Sequence, residues 1–528
     1  MSIKLLTHQV TPTAELYEAM TDLGDKTGRL IIGATGCGKT FVFAAAIKQA
    51  QDRYPELFKF NDDLDNMFLQ YPIMVLTPRN AIVQQQRVLL KAGIVDVIVC
   101  SADSLRTSSE GKKNKKGEAK GPSFGDQFVY WKSEMVKGVL EIVPYWHEST
   151  MPRIIMLDEC QSCKNPDSLK TKVLMAYVKQ GGKLILISAT PFQKGCEARL
   201  IVAACGLTSV DSSGYYIKQV TGYQDEENSP TAVKRIKEAL KSRGKLIEIK
   251  NVRYPFKPII KNWLITPTDA QRDGVNAAYA RYCEAREEAG KHQHQNIIAV
   301  WQAQRVMRLE CELLKAENII DHAIEHRLNG KAIILASNYV PTLNKYWGLL
   351  TKKGIPSSKI SVLFGDMPDA KKQQAIDDFQ SGKTEFFLTT LKSGGTGLSL
   401  HHCEVTAMPR VVILPPTWSV FELLQVLGRA QRITNLSQVI QVIAWFKGTI
   451  EEKVADRLET KYNCVKELIN NSEDFIVNIF NNEITNKAEL LMMQNSPEMV
   501  NGEIVKPEVE EEEESSFDLS MLDEEEVN

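Results

Sequence analysis

The 528-residue chain contains no run of about eighteen apolar residues, the length a helix needs to cross a bilayer, and its first residues hold no short apolar leader core. Neither a membrane partner nor secretion is expected, and the reading is an intracellular, cytoplasmic monomer. Ten cysteines scattered over such a length form no disulfide framework and read as reduced thiols. Zinc-type clusters are also missing. Cys160 and Cys163 have C-x-x-C spacing without a second pair, and His292–His294 and His401–His402–Cys403 are equally incomplete. Net charge is nearly absent at −2, but it is unevenly spread. Residues 501–528 carry twelve acidic side chains and one lysine, which leaves +9 on residues 1–500. A mildly basic body with an acidic tail suits a nucleic-acid partner, though many proteins of this charge have none.

What is present is one dominant stretch. Leu30-Ile31-Ile32 runs into Gly33-Ala34-Thr35-Gly36-Cys37-Gly38-Lys39-Thr40 and then the helical run Phe41–Ala50. This is G-x-x-x-x-G-K-[ST] in its strand–loop–helix setting. Glycines let backbone N–H groups curl around phosphate oxygens, the helix N-terminus adds positive potential, and Lys39 reaches the terminal phosphates. Gly33, Thr35, Gly36, Cys37, Gly38, Lys39 and Thr40 are thus the expected nucleotide site, with the Thr40 hydroxyl offered to Mg2+.

Around it, short apolar runs alternate with amphipathic stretches, the pattern of parallel sheets covered by helices. Strands are expected at Leu30–Ile32, Ile73–Thr77, Val97–Cys100, Ile154–Leu157 and Leu184–Ser188. A second series is expected at Ala332–Ala336, Ile360–Phe364, Phe386–Thr389, Val411–Leu414 and Val439–Ala444. Between them, Thr231–Ser242 and Asp269–Asn329 read as helical, joined by a short extended segment, Lys245–Thr266. Arg106–Gly125 reads as a lysine-rich loop that either brushes a nucleic-acid backbone or is simply solvated. The expected division is a first α/β domain over 1–200, a helical insert and connection over 201–328, a second α/β domain over 329–480, and a disordered acidic tail over 481–528. Phe517, Leu519, Met521 and Leu522 in that tail offer a docking motif for a protein partner, with a plain solubilising tail the favoured reading.

Asp158-Glu159-Cys160-Gln161 directly follows the strand that ends at Leu157. A carboxylate pair there is where a P-loop fold holds Mg2+ and a catalytic water, Asp158 supporting the metal and Glu159 orienting and deprotonating the water. With Ser188-Ala189-Thr190 after the next strand, the order resembles superfamily 2 helicases and translocases, whose motif II reads D-E-x-H or D-E-x-Q and whose motif III reads S-A-T. Ser393-Gly394-Gly395-Thr396-Gly397-Leu398-Ser399-Leu400 resembles motif V, and Gln425-Val426-Leu427-Gly428-Arg429-Ala430-Gln431-Arg432 resembles motif VI. Lys164-Asn165, the Gly365…Ile376…Phe379 run, Trp418 and Thr449–Lys453 bring the Swi/Snf-like translocases closest. The similarity spans about residues 5–465. Ser-Ala-Thr in place of Thr-Gly-Thr, Ser399 in place of Asn and Thr434-Asn435 in place of Gly-Gln mark a compact, divergent member of viral or phage type.

The resemblance implies two RecA-like domains with ATP and Mg2+ between them. It makes Glu159 and Gln161 catalytic, Asp158 and Thr40 metal residues, and Arg429 and Arg432 arginine fingers on one side of a helix. Gln9 matches the adenine-reading glutamine and Gly397 lies in the ATP-binding part of motif V. Pro78, Arg79 and Ser101 match motifs Ia and Ib, while Asn338, Thr390, Lys392 and Thr396 follow strands of the second domain; all would meet phosphates without reading bases. Trp418 either stacks on a base or packs beneath motif VI, with packing the favoured reading. The function so implied is ATP-dependent movement on double-stranded or branched DNA, with single-stranded DNA as a further possibility. A strand-separating DNA or RNA helicase is one rival. Another is a nucleotide-binding scaffold that recruits a partner through its tail, and a third is the motor subunit of a restriction complex.

Overall fold

A computed structural model describes the chain apart from residues 1–3, 59–71, 107–122, 137, 257, 292–296, 366, 395–398, 405–407, 418, 470–498, 501–502 and 505–528. The lysine-rich loop, the acidic tail, the His292–His294 triplet and the Thr396, Gly397 and Trp418 assignments therefore lie largely or wholly outside the described residues.

The apolar runs of the first half form one six-stranded parallel sheet. Its strands lie in the order Ile98–Cys100, Ile73–Leu76, Ile154–Asp158, Lys183–Ser188, Leu30–Gly33 and Leu246–Ile249. Burial on both faces explains why these strands read as unbroken apolar runs. Leu30, Met74, Ile155, Leu157 and Leu184 pack on one side; Ile31, Val75, Ile154, Met156 and Ile185 pack on the other. The strand that precedes the glycine loop and the strand that ends in Asp158 both flank Lys183–Ser188. Three motif-bearing strand ends thus open on the same edge of the sheet, where α/β folds place their ligands.

The second half repeats the construction. Ile360–Leu363, Phe386–Thr390, Ala332–Ser337, Arg410–Leu414, Ile440–Phe446 and Ile259–Ile265 form another all-parallel six-stranded sheet. Both sheets gain an edge strand from the segment expected to be a mere connection: Leu246–Ile249 closes the first sheet and Ile259–Ile265 the second. The fold is two RecA-like parallel-sheet α/β units joined through residues 250–258.

Helices fill the rest. Arg199–Ala204, Ser213–Thr221 and Pro230–Ser242 pack into the core of the first sheet through Leu200, Ile217, Val233 and Ile236. Asp269–Lys291 and Ile297–Leu314 form a helical hairpin, and Ala316–Leu328 lies on the second sheet through Ile319, Ile320 and Ala323. The last helix, Ile450–Ile469, straddles the halves. Val454, Leu458 and Val465 join the second core while Cys464 enters the first.

Two antiparallel pairs are absent from the sequence reading, and one of them, Met499–Val500 with Glu503–Ile504, falls in the stretch expected to be disordered. Val129–Val136 pairs antiparallel with Val139–Trp146 in a two-stranded hairpin turning at Gly138, whose φ is +85°. Its base is anchored by the buried Trp146, which donates from Nε1 to the Val173 carbonyl and packs against Tyr177 at 5.1 Å. Towards the tip, Met135, Leu140 and Ile142 are exposed.

Candidate nucleotide cleft and nucleic-acid face

The glycine loop is shaped by its neighbours as much as by its own sequence. Gly36 and Gly38 adopt φ of +80° and +86°, which residues with a Cβ rarely enter. Gly38 caps the helix Lys39–Arg53, whose first turn contains Lys39 and Thr40. Lys39 donates from Nζ to the Gly33 and Ala34 carbonyls at 3.0 and 3.2 Å, so the ammonium already points into its own loop. Gln9 lies under it: Nε2 donates to the Cys37 carbonyl at 3.0 Å and Oε1 accepts from the Leu6 amide. His8 also meets the Cys37 carbonyl, at 3.1 Å. Both polar ends of Gln9 thus hold protein backbone in this structure, and a Cβ on Gly38 would sit 2.2 Å from its Nε2.

Asp158 ends its strand with 8% exposure, and Glu159 follows in the left-handed region at φ 54°, ψ 53°. A non-glycine residue held there is strained, which is typical where a side chain must be aimed. Glu159 accepts from Gln161 Nε2 at 2.8 Å, Gln161 accepts from Ser188 Oγ at 2.6 Å, and Ser188 accepts from the Thr190 amide at 2.9 Å. Gln161 is therefore the link between the carboxylate box and the Ser-Ala-Thr strand end. The two carboxylates diverge electrostatically. Burial and the adjacent Glu159 charge push Asp158 up to about 7. Burial also acts to raise Glu159, but the Arg429 and Lys39 charges outweigh it and hold the group below the usual carboxylate range.

Arg429 arrives from the second half on the helix Val420–Ala430, with Nη2 3.5 Å from Glu159 Oε1. Gly428 precedes it for a steric reason. A Cβ there would lie 2.4 Å from Thr35 Oγ1, so the helix and the glycine loop touch at that point. Arg432 departs from the sequence expectation. The helix ends at Ala430 and Gln431 is extended at φ −105°, ψ 119°, so the two arginines do not share a helix face. Gln431 is fully buried and donates to the Phe256 carbonyl at 2.7 Å, and that bond draws the chain out of the helix. Arg432 lies instead against Gly36, where a Cβ would be 3.0 Å from its Cδ. Burial and the Arg429 charge lower its guanidinium to about 10, still charged at neutral pH.

Further contacts cross the cleft. Lys164 Nζ sits 5.3 Å over the Phe421 ring, and Tyr254 in the connection donates from its hydroxyl to the Thr35 carbonyl at 2.9 Å. Sequence reasoning missed Gln85 and Tyr254 altogether. Gln85 lies on the helix Ile82–Lys91, is 4% exposed, and donates to Asp158 Oδ2 at 2.8 Å.

The expected phosphate-contacting residues are more scattered. Pro78 is half-buried, Arg79 and Lys392 are exposed, and Thr390 is buried with its hydroxyl accepting from the Ser393 amide. Ser101 is buried and caps a short helix by accepting from the Ser104 amide. Asn338 faces the helical hairpin: it donates to Glu312 and to the Pro416 carbonyl, and accepts from Arg308 at 3.2 Å. Near this face Gln84 reaches Ser399 and Lys372 reaches Asn80, each at 3.5 Å, bringing the halves together again. His401 and His402 are engaged by the Thr434 and Ser437 hydroxyls. Among the described residues no group of three or more His, Cys, Asp or Glu side chains is placed to hold a metal ion.

A type III restriction enzyme res subunit model matches residues 2–128, and a helicase conserved C-terminal domain model matches residues 312–434. The chain is 26% identical over 326 residues to a candidate ATP-dependent RNA helicase of Acanthamoeba polyphaga mimivirus, covering 56% of this chain and 57% of that protein. It is 26% identical over 144 residues to the DNA repair protein rhp54 of Schizosaccharomyces pombe, covering 27% of this chain and 16% of that one. It is 28% identical over 142 residues to the human DNA repair and recombination protein RAD54B, covering 26% and 15%. The chain thus spans little more than half of the viral relative and about a sixth of the repair proteins. A solved structure of Saccharomyces cerevisiae Dbp5 bound to RNA and ADP BeF3 aligns over 87% of this chain and 92% of its own, at 13% identity and a TM-score of 0.45. With these matches in both halves, the chain is similar to superfamily 2 of the helicases and translocases.

Proposed function

We propose that the chain is a DNA translocase which hydrolyses ATP between its two sheets and uses their closure to move along double-stranded or branched DNA. The observation that carries this reading is the Arg429–Glu159 contact, which places a cation of the second half directly on the carboxylate of the first. Gly33, Thr35, Gly36, Cys37, Gly38 and Lys39 would cradle the triphosphate. The glycines at positive φ and the Lys39 ammonium, already directed at the loop carbonyls, fit that group. Thr40 and Asp158 would hold magnesium, which when bound supplies positive charge to the phosphate oxygens. Glu159, aimed by its backbone and held by Gln161, orients the attacking water and accepts its proton. Arg429 and Arg432 neutralise the charge that develops on the transferred phosphoryl group, a contribution available only while the halves are closed. Through Gln161 and Ser188 any shift of Glu159 is passed to the Ser-Ala-Thr strand end, on the edge of the sheet that would face nucleic acid.

DNA is favoured because the repair proteins that the chain resembles are named for DNA repair and recombination. The name of the mimivirus relative, which aligns over more of the chain, favours an RNA helicase as the second reading. ATP hydrolysis measured with no nucleic acid, duplex DNA, forked DNA, single-stranded DNA and RNA decides between them, with Glu159→Gln as the blank. Stimulation by duplex or forked DNA that the variant abolishes supports translocation. Stimulation by single strands or RNA alone replaces it with the helicase reading. Hydrolysis indifferent to every nucleic acid refutes both.

A further inference from the structure

Gln85 has no role in the mechanism above, yet its place is unusual. Its one side-chain NH2 group faces two of the residues assigned to magnesium: Nε2 lies 2.8 Å from Asp158 Oδ2 and 3.4 Å from Thr40 Oγ1. The side chain is 96% buried, and among the described residues Oε1 has no hydrogen-bond partner. With Asp158 ionised, the form that would hold magnesium, turning the amide over would set an oxygen lone pair against its carboxylate. The orientation is therefore fixed by charge. A buried acceptor on an amide whose NH2 group is held by a carboxylate and a hydroxyl wants a donor.

The donor that fits is water held by a cation. Magnesium keeps several of its waters when bound through one or two protein oxygens, and those waters present polarised hydrogens to their surroundings. We propose that Gln85 is a positioning residue of the magnesium site: Nε2 orients the Asp158 carboxylate and Oε1 accepts from a water of the ion. The inference rests on the reading of Thr40 and Asp158 as the metal residues. Partners of this kind behind a metal ligand commonly change metal affinity 10- to 100-fold when removed.

The test is equilibrium binding of a fluorescent ATP analogue to the full chain across a magnesium titration and in EDTA, for wild type, Gln85→Ala and Gln85→Met. Methionine keeps most of the volume and none of the hydrogen bonds, so it separates chemistry from packing, and thermal melts check that each variant is folded. We expect both variants to need about 10- to 100-fold more magnesium for tight binding, with affinity in EDTA within about twofold of wild type. A magnesium-dependent wild type with an unshifted Gln85→Met variant overturns the inference and leaves the metal assignment standing. Equal losses with and without magnesium overturn it in favour of a packing role. A wild type whose nucleotide affinity ignores magnesium removes the Thr40–Asp158 reading and this inference together.

Discussion

Gly428→Ala is the smallest change that should separate nucleotide binding from turnover. Glycine inside an exposed helix is worth about 1 kcal/mol less than alanine, so the helix Val420–Ala430 would on its own terms prefer the substitution. The reason for glycine lies across the cleft. The new methyl would sit 2.4 Å from Thr35 Oγ1, 2.5 Å from Thr35 Cβ and 3.2 Å from Thr35 Cγ2. Thr35 is 9% exposed, and its carbonyl is tied to the Tyr254 hydroxyl, so it has little room to yield. Bringing the methyl–Cβ pair to ordinary contact requires a separation of about 1 Å, which would carry Arg429 away from Glu159 by a similar amount. Misplacement on that scale costs about 100-fold in rate. Lys39, Thr40 and Asp158 belong to the first half and are not among the atoms nearest the new methyl. The expected result is therefore an about 100-fold lower kcat with ATP affinity within about twofold of wild type, measured by steady-state hydrolysis with DNA and by equilibrium binding. Adding Thr35→Gly removes the three atoms nearest the methyl and should restore part of the turnover. Wild-type turnover in Gly428→Ala, or a loss of affinity as large as the loss of rate, would refute the argument.

Arg429→Ala should lower nucleic-acid-stimulated kcat by about a thousandfold, the order of an arginine finger, with Arg429→Lys intermediate because a point charge replaces the planar fork; single-turnover hydrolysis checks both. Tyr254→Phe leaves the Thr35 carbonyl without its donor and should cost about 0.5–1.5 kcal/mol of stability in urea unfolding. His401 gives a pH signature, since burial and then the Arg432 and Arg410 charges lower its imidazole to about 4. The unfolded chain binds the proton more readily, so stability is whole above the ordinary histidine value of about 6.5 and is lost as pH falls from there through about 4. The full loss is at most about 3 kcal/mol. Thermal melts of His401→Gln should accordingly fall less between pH 6.5 and 4 than those of the wild type.

The ten strands expected from apolar runs are present because buried parallel strands must be apolar on both faces, and that pattern survives in the sequence without help from context. What escaped was of three kinds. The edge strands Leu246–Ile249 and Ile259–Ile265 are buried on fewer sides, and their mixture of Glu248, Lys261 and Asn262 with apolar residues looks like connection. The hairpin Val129–Trp146 alternates aromatic, charged and aliphatic residues and contains Pro144 within a strand, so neither helical nor strand periodicity stands out. Gln85 is one of three consecutive glutamines, Gln84–Gln86, and only its burial beside Asp158 distinguishes it. Spacing misled at Arg432, where the helix ends sooner than its i, i+3 arithmetic supposed because Gln431 is committed to the Phe256 carbonyl. The glycine loop, the carboxylate box and Arg429 were legible because phosphate chemistry dictates residue type at fixed spacing.

The Arg429–Glu159 pair also constrains how the cleft can work. Glu159 cannot neutralise Arg429 and take a proton from water at once, since the guanidinium is what holds its carboxyl below the usual range. On the proposed reading of Glu159 as the base, Arg429 would have to be drawn off by another anion before Glu159 could act. Both side chains are buried, at 7% and 12% exposure. Removing one partner of a buried pair with nothing in its place costs about 3–5 kcal/mol, so the arginine leaves only as an incoming phosphate replaces the carboxylate. The terminal phosphate of the proposed ATP substrate would do this; once it was cleaved and lost, Glu159 would again be the anion facing Arg429. Under the proposed function, exchange of one arginine between a carboxylate and a phosphate would tie the basicity of Glu159 to the presence of the bond it helps to break, and such a switch would need the two halves to remain in contact throughout.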